Sequence, residues 1–444
     1  MPSLQWIGKQ AVIDHLAHVP TCGLQALPAL AYGVAASGNL IVQGDNLLAL
    51  KALLPTYRGR VKCIYIDPPY NTGAAGWIYN DNVDAPEIRR WLGEVVGVKG
   101  ETLDRHDRWL CMMYPRLVLL RELLSADGVI FVSIDDTEVH HLRAVMDEVF
   151  GARAHLTTLV WRTAGNFDNQ AKIKHCHEYV LAYAPQPALF AYPRVIDPSV
   201  GAASKLTRPF IQNTIVKNGP KNPVSVVLLP AGFPASVASA RIAVRDDIWP
   251  HYLDDAEIVD GKLARAVRVT SGWSSKSILR KFIAADFNPV PDSKGQLTRF
   301  VLTASGAIES IKQRRQASHV ISVLSGLGST QAQSAALAAM GLKFSFPKPV
   351  ALVKYLISLL DDRDFIVLDS FAGSGTTAQA VLELNAADGG TRRFVLVEMA
   401  ADIAREVTAP RVRRVMQAHC DGKGAMAPGL AGSFDYYELS AGDQ

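Results

Sequence analysis

Cysteine is scarce in this chain and forms no recognisable pattern. The five residues, Cys22, Cys63, Cys111, Cys176 and Cys420, are scattered and odd in number, and no two make a C-x-x-C pair. That argues against a disulfide framework and for reduced thiols in a cytoplasm. His175-Cys176-His177 is a poor metal tract, because neighbours in a strand point to opposite faces, so no metal is expected. Long apolar runs are missing too. The uncharged stretch 321–342 holds too many Ser, Gly and Gln residues to span a bilayer, and no membrane partner is expected. The N-terminus shows no basic, apolar, small-residue signal pattern, which argues against export. No internal repeat and no low-complexity tract is present.

What is there is ordinary globular composition. The 444 residues are 49% hydrophobic and 20% charged, enough for one large or two medium domains. The net charge of +4 conceals an uneven distribution: residues 191–340 carry 18 Lys and Arg against 10 Asp and Glu, so this third alone stands at +8. A local basic excess suits a polyanion partner, although a merely solvated surface gives the same count.

Apolar periodicity organises the rest. Strands are expected at Asn39–Asp45, Val61–Ile66, Gly128–Ile134, Leu156–Trp161, Glu178–Tyr183, Phe365–Asp369 and Arg393–Glu398, with helices between most of them. Leu156–Trp161 and Glu178–Tyr183 read as an antiparallel pair at a sheet edge. Residues 71–107, rich in Gly, Asn, Asp and Trp without strong period, read as a long loop of the lid kind. From about residue 191 the rhythm breaks into short apolar pieces interrupted by Pro, Gly and Asn, as in an irregular β or mixed unit.

Two stretches carry chemistry. Val61–Ile66 is a buried-strand pattern stopped by Asp67-Pro68-Pro69-Tyr70, and proline cannot continue a ladder. Strand tips of this kind are where open α/β sheets bind ligands. The tetrapeptide gathers a carboxylate (Asp67), a carbonyl (Pro68) held rigid by the ring of Pro69, and an aromatic face (Tyr70). Two acceptors beside a flat surface suit an exocyclic amine on a heteroaromatic base, whose nitrogen becomes nucleophilic when its lone pair is withdrawn from the ring. The second stretch is Asp369-Ser370-Phe371-Ala372-Gly373-Ser374-Gly375-Thr376-Thr377, a strand, glycine turn and helix of nucleotide-binding type. Glu398 ends the next strand, where an acid can accept ribose hydroxyls. The third glycine of the dinucleotide fingerprint is absent, which disfavours a dehydrogenase.

Together with Gly44-Asp45-Asn46-Leu47, Phe131-Val132-Ser133-Ile134-Asp135-Asp136 and Phe346-Pro347-Lys348-Pro349, these motifs resemble those of S-adenosylmethionine-dependent DNA amino-methyltransferases of the β arrangement, in particular type III restriction-system modification subunits and solitary adenine-N6 methyltransferases. The resemblance covers about residues 38–185 and 344–416. It implies a doubly wound, mostly parallel, seven-stranded α/β sheet, Rossmann-like and circularly permuted, with an inserted mixed α+β target-recognition region. The corresponding division is an N-terminal arm (1–37), a catalytic half (38–190), the insert (191–340), a cofactor half (341–420) and a C-terminal tail (421–444).

The resemblance further implies catalysis by Asp67, Pro68, Pro69 and Tyr70. It implies a cofactor site of Asp45, Phe346, Lys348, Asp369, Phe371, Ala372, Gly373, Ser374, Gly375, Thr376 and Glu398, with S-adenosylmethionine as cofactor. Adenine N6 in double-stranded DNA is the expected target, reached by base flipping, with cytosine N4 and a catalytically silent regulator as alternatives. Arg241, Arg245, Lys276, Arg280, Lys281, Arg299, Arg314 and Arg315 are available for DNA, a homodimer is the expected assembly, and a restriction subunit is a further partner. Bland roles compete: Asp45 and Glu398 as helix caps, Asp135 and Asp136 as a cap and a solvated acid, Lys348 as a surface ion-pair partner. Trp161 and Phe167 are candidates for a second ring stacked on an extruded base.

Overall fold

The computed structural model describes residues 3–72, 105–163, 172–201, 204–314, 318–420 and 425–440. The chain divides into two compact units, residues 1–199 with 318–444, and residues 200–317.

The first unit is built on one ten-stranded sheet. Its strands are β1 (Gly23–Ala26), β2 (Leu40–Gln43), β3 (Val61–Ile66), β4 (Leu124–Ile134), β5 (His155–Arg162), β6 (His177–Tyr183), β7 (Val323–Leu324), β8 (Ile366–Asp369), β9 (Arg393–Glu398) and β10 (Asp435–Ser440). Their order across the sheet is β1-β10-β2-β9-β8-β3-β4-β6-β5-β7. From β10 to β4 every neighbour is parallel; β6 runs antiparallel to both β4 and β5, and β1 runs antiparallel to β10.

Side chains alternate between two cores, one on each face. Ile64, Ile66, Ile130, Val132, Val395 and Val397 enter one, while Cys63, Tyr65, Val129, Phe131, Phe394 and Leu396 enter the other. Helices Asn46–Tyr57, Arg105–Leu123 and Val139–Met146 supply the first core, and Val350–Ser358, Thr376–Asp388 and Ala409–Met416 the second. Strands buried on both faces need apolar residues at successive positions, which is why they read as continuous runs in the sequence.

The seven strands read from the sequence form the contiguous inner part of this sheet, and β1, β7 and β10 extend it to ten. The terminal segments are therefore more than appendages. Within 1–37, helix Lys9–His18 buries Val12 and its Lys9 pairs with Glu148 at 2.7 Å, while β1 pairs with β10. Within 421–444, β10 lies beside β2 and sends Tyr436 into the core, 1% exposed, its hydroxyl donating to Gln43 Oε1 at 2.9 Å. These strands are short, amphipathic and without flanking periodicity, so they have too little pattern to stand out. Among the described residues no helix is long and apolar enough to cross a membrane.

The second unit begins at 200 and ends at 317, inside the 191–340 limits read from composition. The displaced flanks belong to the first unit, because β7 pairs with β5. Among its described residues this unit holds three antiparallel sheets, centred on Val267–Ser271, Ala256–Val259 and Ile308–Gln313, with one helix, Lys276–Ala284. Phe233, Phe282, Phe300 and Tyr252 fill its separate core.

Truncating Tyr436 tests whether the last strand belongs to the fold. Tyr436→Ala is expected to lower unfolding free energy by about 3–5 kcal/mol, the cost of emptying a buried aromatic site, measured by urea denaturation; a loss below about 1 kcal/mol would return the segment to the status of a tail.

Candidate active site

The connections leaving β3 and β8 diverge: β3 leads to β4 on one side, and β8 leads to β9 on the other. Between strands that part in this way the carboxyl ends leave a crevice, the usual ligand site of open α/β sheets. A cavity of about 300 Å³ lies there. Its walls include Asp67, Pro68, Pro69 and Tyr70 from the end of β3, and Asp369, Phe371, Ala372, Gly373, Ser374 and Thr376 from β8 and the turn after it. Phe346 and Lys348 close a third side. Stretches nearly three hundred residues apart thus face one another.

The glycine turn needs its glycines. Gly373 and Gly375 have φ of 50° and 81°, the left-handed region open to glycine. A Cβ on Gly375 would meet Thr408 Cγ2 at 3.3 Å and the Thr408 carbonyl at 3.4 Å. Helix Thr376–Asp388 then starts without a side-chain cap, leaving N–H groups at the cavity. Asp369 braces the turn by accepting from Phe371 N at 3.0 Å and Thr377 Oγ1 at 2.5 Å, and burial pushes its carboxyl up to about 7.

At the tip of β3, Trp109 Nε1 donates to the Pro69 carbonyl at 2.6 Å. No donor among the described residues engages the Pro68 carbonyl, which remains an available acceptor. The backbone turns away at Asn71, φ 61°, whose amide donates to Glu138 Oε1 at 2.5 Å. Glu138 is fully buried and takes the Nδ1 atoms of His106 and His141 at 2.7 Å each. A left-handed non-glycine residue is costly and persists where its surroundings hold it; here a buried carboxylate and two imidazoles do so.

Lys348 lines the cavity, and its side chain reaches across to the tip of β3. Its ammonium is 3.0 Å from Asp67 Oδ1 and 3.2 Å from Glu178 Oε2, and 4.6 Å from the centre of the Tyr70 ring. The tyrosine hydroxyl donates to Glu178 Oε2 at 2.8 Å. One cation therefore serves two carboxylates and a ring face. Burial raises the Asp67 pKa; Lys348 opposes that rise and Glu178 adds to it. Burial pulls the lysine pKa down, yet Asp67 and then Glu178 hold it above the ordinary value. Tyr70 stays protonated, its pKa raised by burial and then by Asp67 and Glu178.

Sequence reasoning missed Glu178. The signal was its place at the start of an expected antiparallel strand: β6 runs against β4, so its first residues reach the same edge as the last residues of the parallel strands.

Asp45, Gly375 and Glu398 are not among the cavity walls. Asp45 caps helix Asn46–Tyr57, accepting from Leu47 N and Leu48 N at 2.9 and 3.1 Å, and lies 3.2 Å from Arg116. Glu398 accepts from Gly373 N at 2.8 Å and Ala400 N at 2.9 Å, so it braces the glycine turn from behind. Gly44 N donates to the Glu398 carbonyl at 3.0 Å, which places both acids at neighbouring strand ends. Asp135 accepts from Thr137 N at 2.9 Å, and Asp136 from the Tyr179 hydroxyl at 2.7 Å. Trp161 is fully buried in the core and is not among the cavity walls. Phe167 and Arg315, and residues 73–104 of the expected lid, lie outside the described residues.

Within the second unit Arg241, Arg280, Lys281 and Arg299 are exposed, while Lys276 is half-buried. Arg245 and Arg314 are committed to their own unit: Arg245 donates to the carbonyls of Ser305 (2.8 Å) and Pro250 (3.3 Å), and Arg314 to those of Arg208 (2.9 Å) and Lys205 (3.0 Å).

Against known families, the model described as DNA methylase matches residues 61–408, which includes both the Asp67–Tyr70 tip and the glycine turn. The chain belongs to the DNA methylase family. Among curated relatives, the type III restriction-modification enzyme StyLTI Mod subunit of Salmonella typhimurium is 32% identical over 81% of the chain and 52% of the relative. The EcoPI Mod subunit of Escherichia phage P1 is 32% identical over 82% of the chain and 57% of the relative. The type II methyltransferase M.KpnI of Klebsiella pneumoniae is 26% identical over 82% of the chain and 81% of the relative. The chain spans little more than half the length of the two type III relatives.

The shared cation makes a definite electrostatic prediction. Lys348→Met removes the group that holds the Asp67 pKa down, so the Asp67 carboxyl is expected to titrate at higher pH than in the wild type, with Lys348→Arg restoring most of the difference. Carbon-13 carboxyl titration checks it, and an unmoved Asp67 resonance would show that the pair is not coupled.

Proposed function

We propose that the chain methylates the N6 amine of adenine in double-stranded DNA, with S-adenosylmethionine as donor. The observation that carries this reading is the meeting, in one cavity, of the Asp67-Pro68-Pro69-Tyr70 tip with the Phe371–Thr376 turn. The residues present fit both reactants: a glycine turn with open N–H groups for the donor, and two acceptors beside an aromatic face for the amine. Phe346 would close over the donor, with Glu398 and Asp45 at the strand ends that would carry its ribose and adenine.

When bound, S-adenosylmethionine supplies an electrophilic methyl on positively charged sulfur, which departs as a neutral thioether. Asp67 accepts one N–H of the amine and the Pro68 carbonyl the other. Together they turn the nitrogen lone pair out of the ring system and towards the methyl carbon. Tyr70 offers its face to the base, replacing part of the stacking lost from the duplex, about 1–3 kcal/mol for an aromatic contact. The nitrogen–carbon bond forms as the carbon–sulfur bond breaks, and the surplus amine proton passes to Asp67, whose burial-raised pKa makes it a better acceptor. Lys348 keeps Asp67 ionised beforehand. A base inside a duplex cannot reach a strand tip, so the target would be flipped out of the stack.

The second unit is read as the target-recognition region, its exposed Arg241, Arg280, Lys281 and Arg299 supplying phosphate contacts. We read the strand order as a circular permutation, with the β8 turn and helix following the β3–β4 half in the chain. The Mod-subunit relatives support a restriction subunit as a partner, and a homodimer would enlarge the DNA surface.

Purified protein with labelled S-adenosylmethionine is expected to label duplex DNA, and nucleoside digestion to yield N6-methyladenine; N4-methylcytosine would instead mark the other amine. Asp67→Ala is expected to reduce labelling by about 10²–10³-fold, the usual cost of removing a preorganised partner. In the wild type the rate should fall as pH drops through the Asp67 pKa, above the ordinary value of 3.8, because only the carboxylate accepts the N–H. DNA binding without labelling, in both wild type and variant, would make the chain a regulator and end the proposal.

A further inference from the structure

Arg411 is fully buried, behind the glycine turn rather than in the cavity. Its Nη1 donates to Ser374 Oγ at 2.6 Å, Thr376 Oγ1 at 2.9 Å and the Ser374 carbonyl at 3.2 Å, and its Nε donates to Gln379 Oε1 at 3.0 Å. All of these acceptors are neutral. Nη2 is buried with no partner. The nearest acid in this network, Glu383, is reached only through Gln379 and is already paired with Lys354 at 2.8 Å. Burial pushes the guanidinium pKa down to about 9. A cation taken out of water without a counter-ion is expensive, and such groups are normally paired. Nothing in the reaction proposed above uses it.

Its two hydroxyl partners, Ser374 and Thr376, do line the cavity. Thr376 spends its own proton on the Lys348 carbonyl, 3.1 Å away. Ser374 Oγ accepts the Arg411 N–H, and with the Thr376 proton committed, its own proton is left to serve either the long 3.3 Å bond to Thr376 Oγ1 or a ligand acceptor in the cavity. The same corner holds the uncapped N-terminus of the thirteen-residue helix Thr376–Asp388, the positive end of its dipole. A buried unpaired cation, a hydroxyl forced into the donor role and a free helix N-terminus converge on one point. What is missing there is an anion.

We infer that Arg411 is a positioning residue that prepares the Ser374–Thr376 corner for the α-carboxylate of the methyl donor's amino-acid end. It acts through the two hydroxyls and through its field, without touching the ligand itself. The inference rests on the S-adenosylmethionine reading and adds to it the group that selects a donor bearing a carboxylate.

The test compares two ligands that differ only in that carboxylate, S-adenosylhomocysteine and its decarboxylated analogue, by calorimetry on the full chain. Wild-type protein is expected to bind S-adenosylhomocysteine at least about tenfold more tightly. Arg411→Met and Arg411→Gln should erase most of that ratio by weakening S-adenosylhomocysteine alone, with the analogue held within about twofold. Ser374→Ala, which leaves the buried cation in place, should reduce the ratio in the same direction and covers the case in which the arginine variants do not fold. Equal binding of both ligands by the wild type, or equal weakening of both by the variants, would make Arg411 a packing residue and overturn the inference while leaving the donor reading intact. A wild type that binds neither ligand overturns the donor reading and the inference with it.

Discussion

Four acids end strands at one edge of one sheet, Asp45 after β2, Asp67 after β3, Asp369 on β8 and Glu398 on β9, and the first unit is arranged to keep them there. Carboxylates so placed are stable only with donors or cations of their own. Asp45 has two backbone N–H groups and Arg116; Asp369 has a backbone N–H and a threonine hydroxyl; Glu398 has two backbone N–H groups. Asp67 differs. Its counter-ion is Lys348, a side chain from a distant segment that it shares with Glu178. Three acids are tied off by their own neighbourhoods, and Asp67 depends on an ammonium carried in on a long stem from a distant segment.

That difference explains what could be read from the chain. The seven inner strands were legible because burial on both faces leaves continuous apolar runs, and the two motifs were legible because proline and glycine mark the places where a strand stops or a turn needs positive φ. The outer strands β1, β7 and β10 were not, since short edge segments have neither sign. Asp45 and Glu398 show what a motif leaves out: Asp45 caps the helix after β2 and Glu398 holds the glycine turn, structural bonds that only the tertiary arrangement reveals. Glu178 and Arg411 lie outside the Asp67–Tyr70 and glycine-turn stretches. Their importance comes from an antiparallel strand direction and from a helix packed behind the turn, both of them tertiary facts.

Lys348 joins the two halves of the cavity by both of its ends. Its ammonium holds Asp67 on the amine side, and its backbone carbonyl accepts from Thr376 on the donor side. Thr376 is in turn held by Arg411. A continuous run of charge and hydrogen bonds therefore passes from a buried guanidinium, through the glycine turn, to the carboxylate at the tip of β3. Because each hydroxyl has one proton to give, a change at any member redirects the next: if Thr376 lost its bond to Arg411 it could turn its proton elsewhere, and the Lys348 backbone would lose the donor that fixes it. The ammonium would then have more than one way to sit between Asp67 and Glu178. Bringing two reactants into line within a few tenths of an ångström is worth orders of magnitude in rate, so the same run that satisfies buried groups also fixes the distance between the two sides of the reaction.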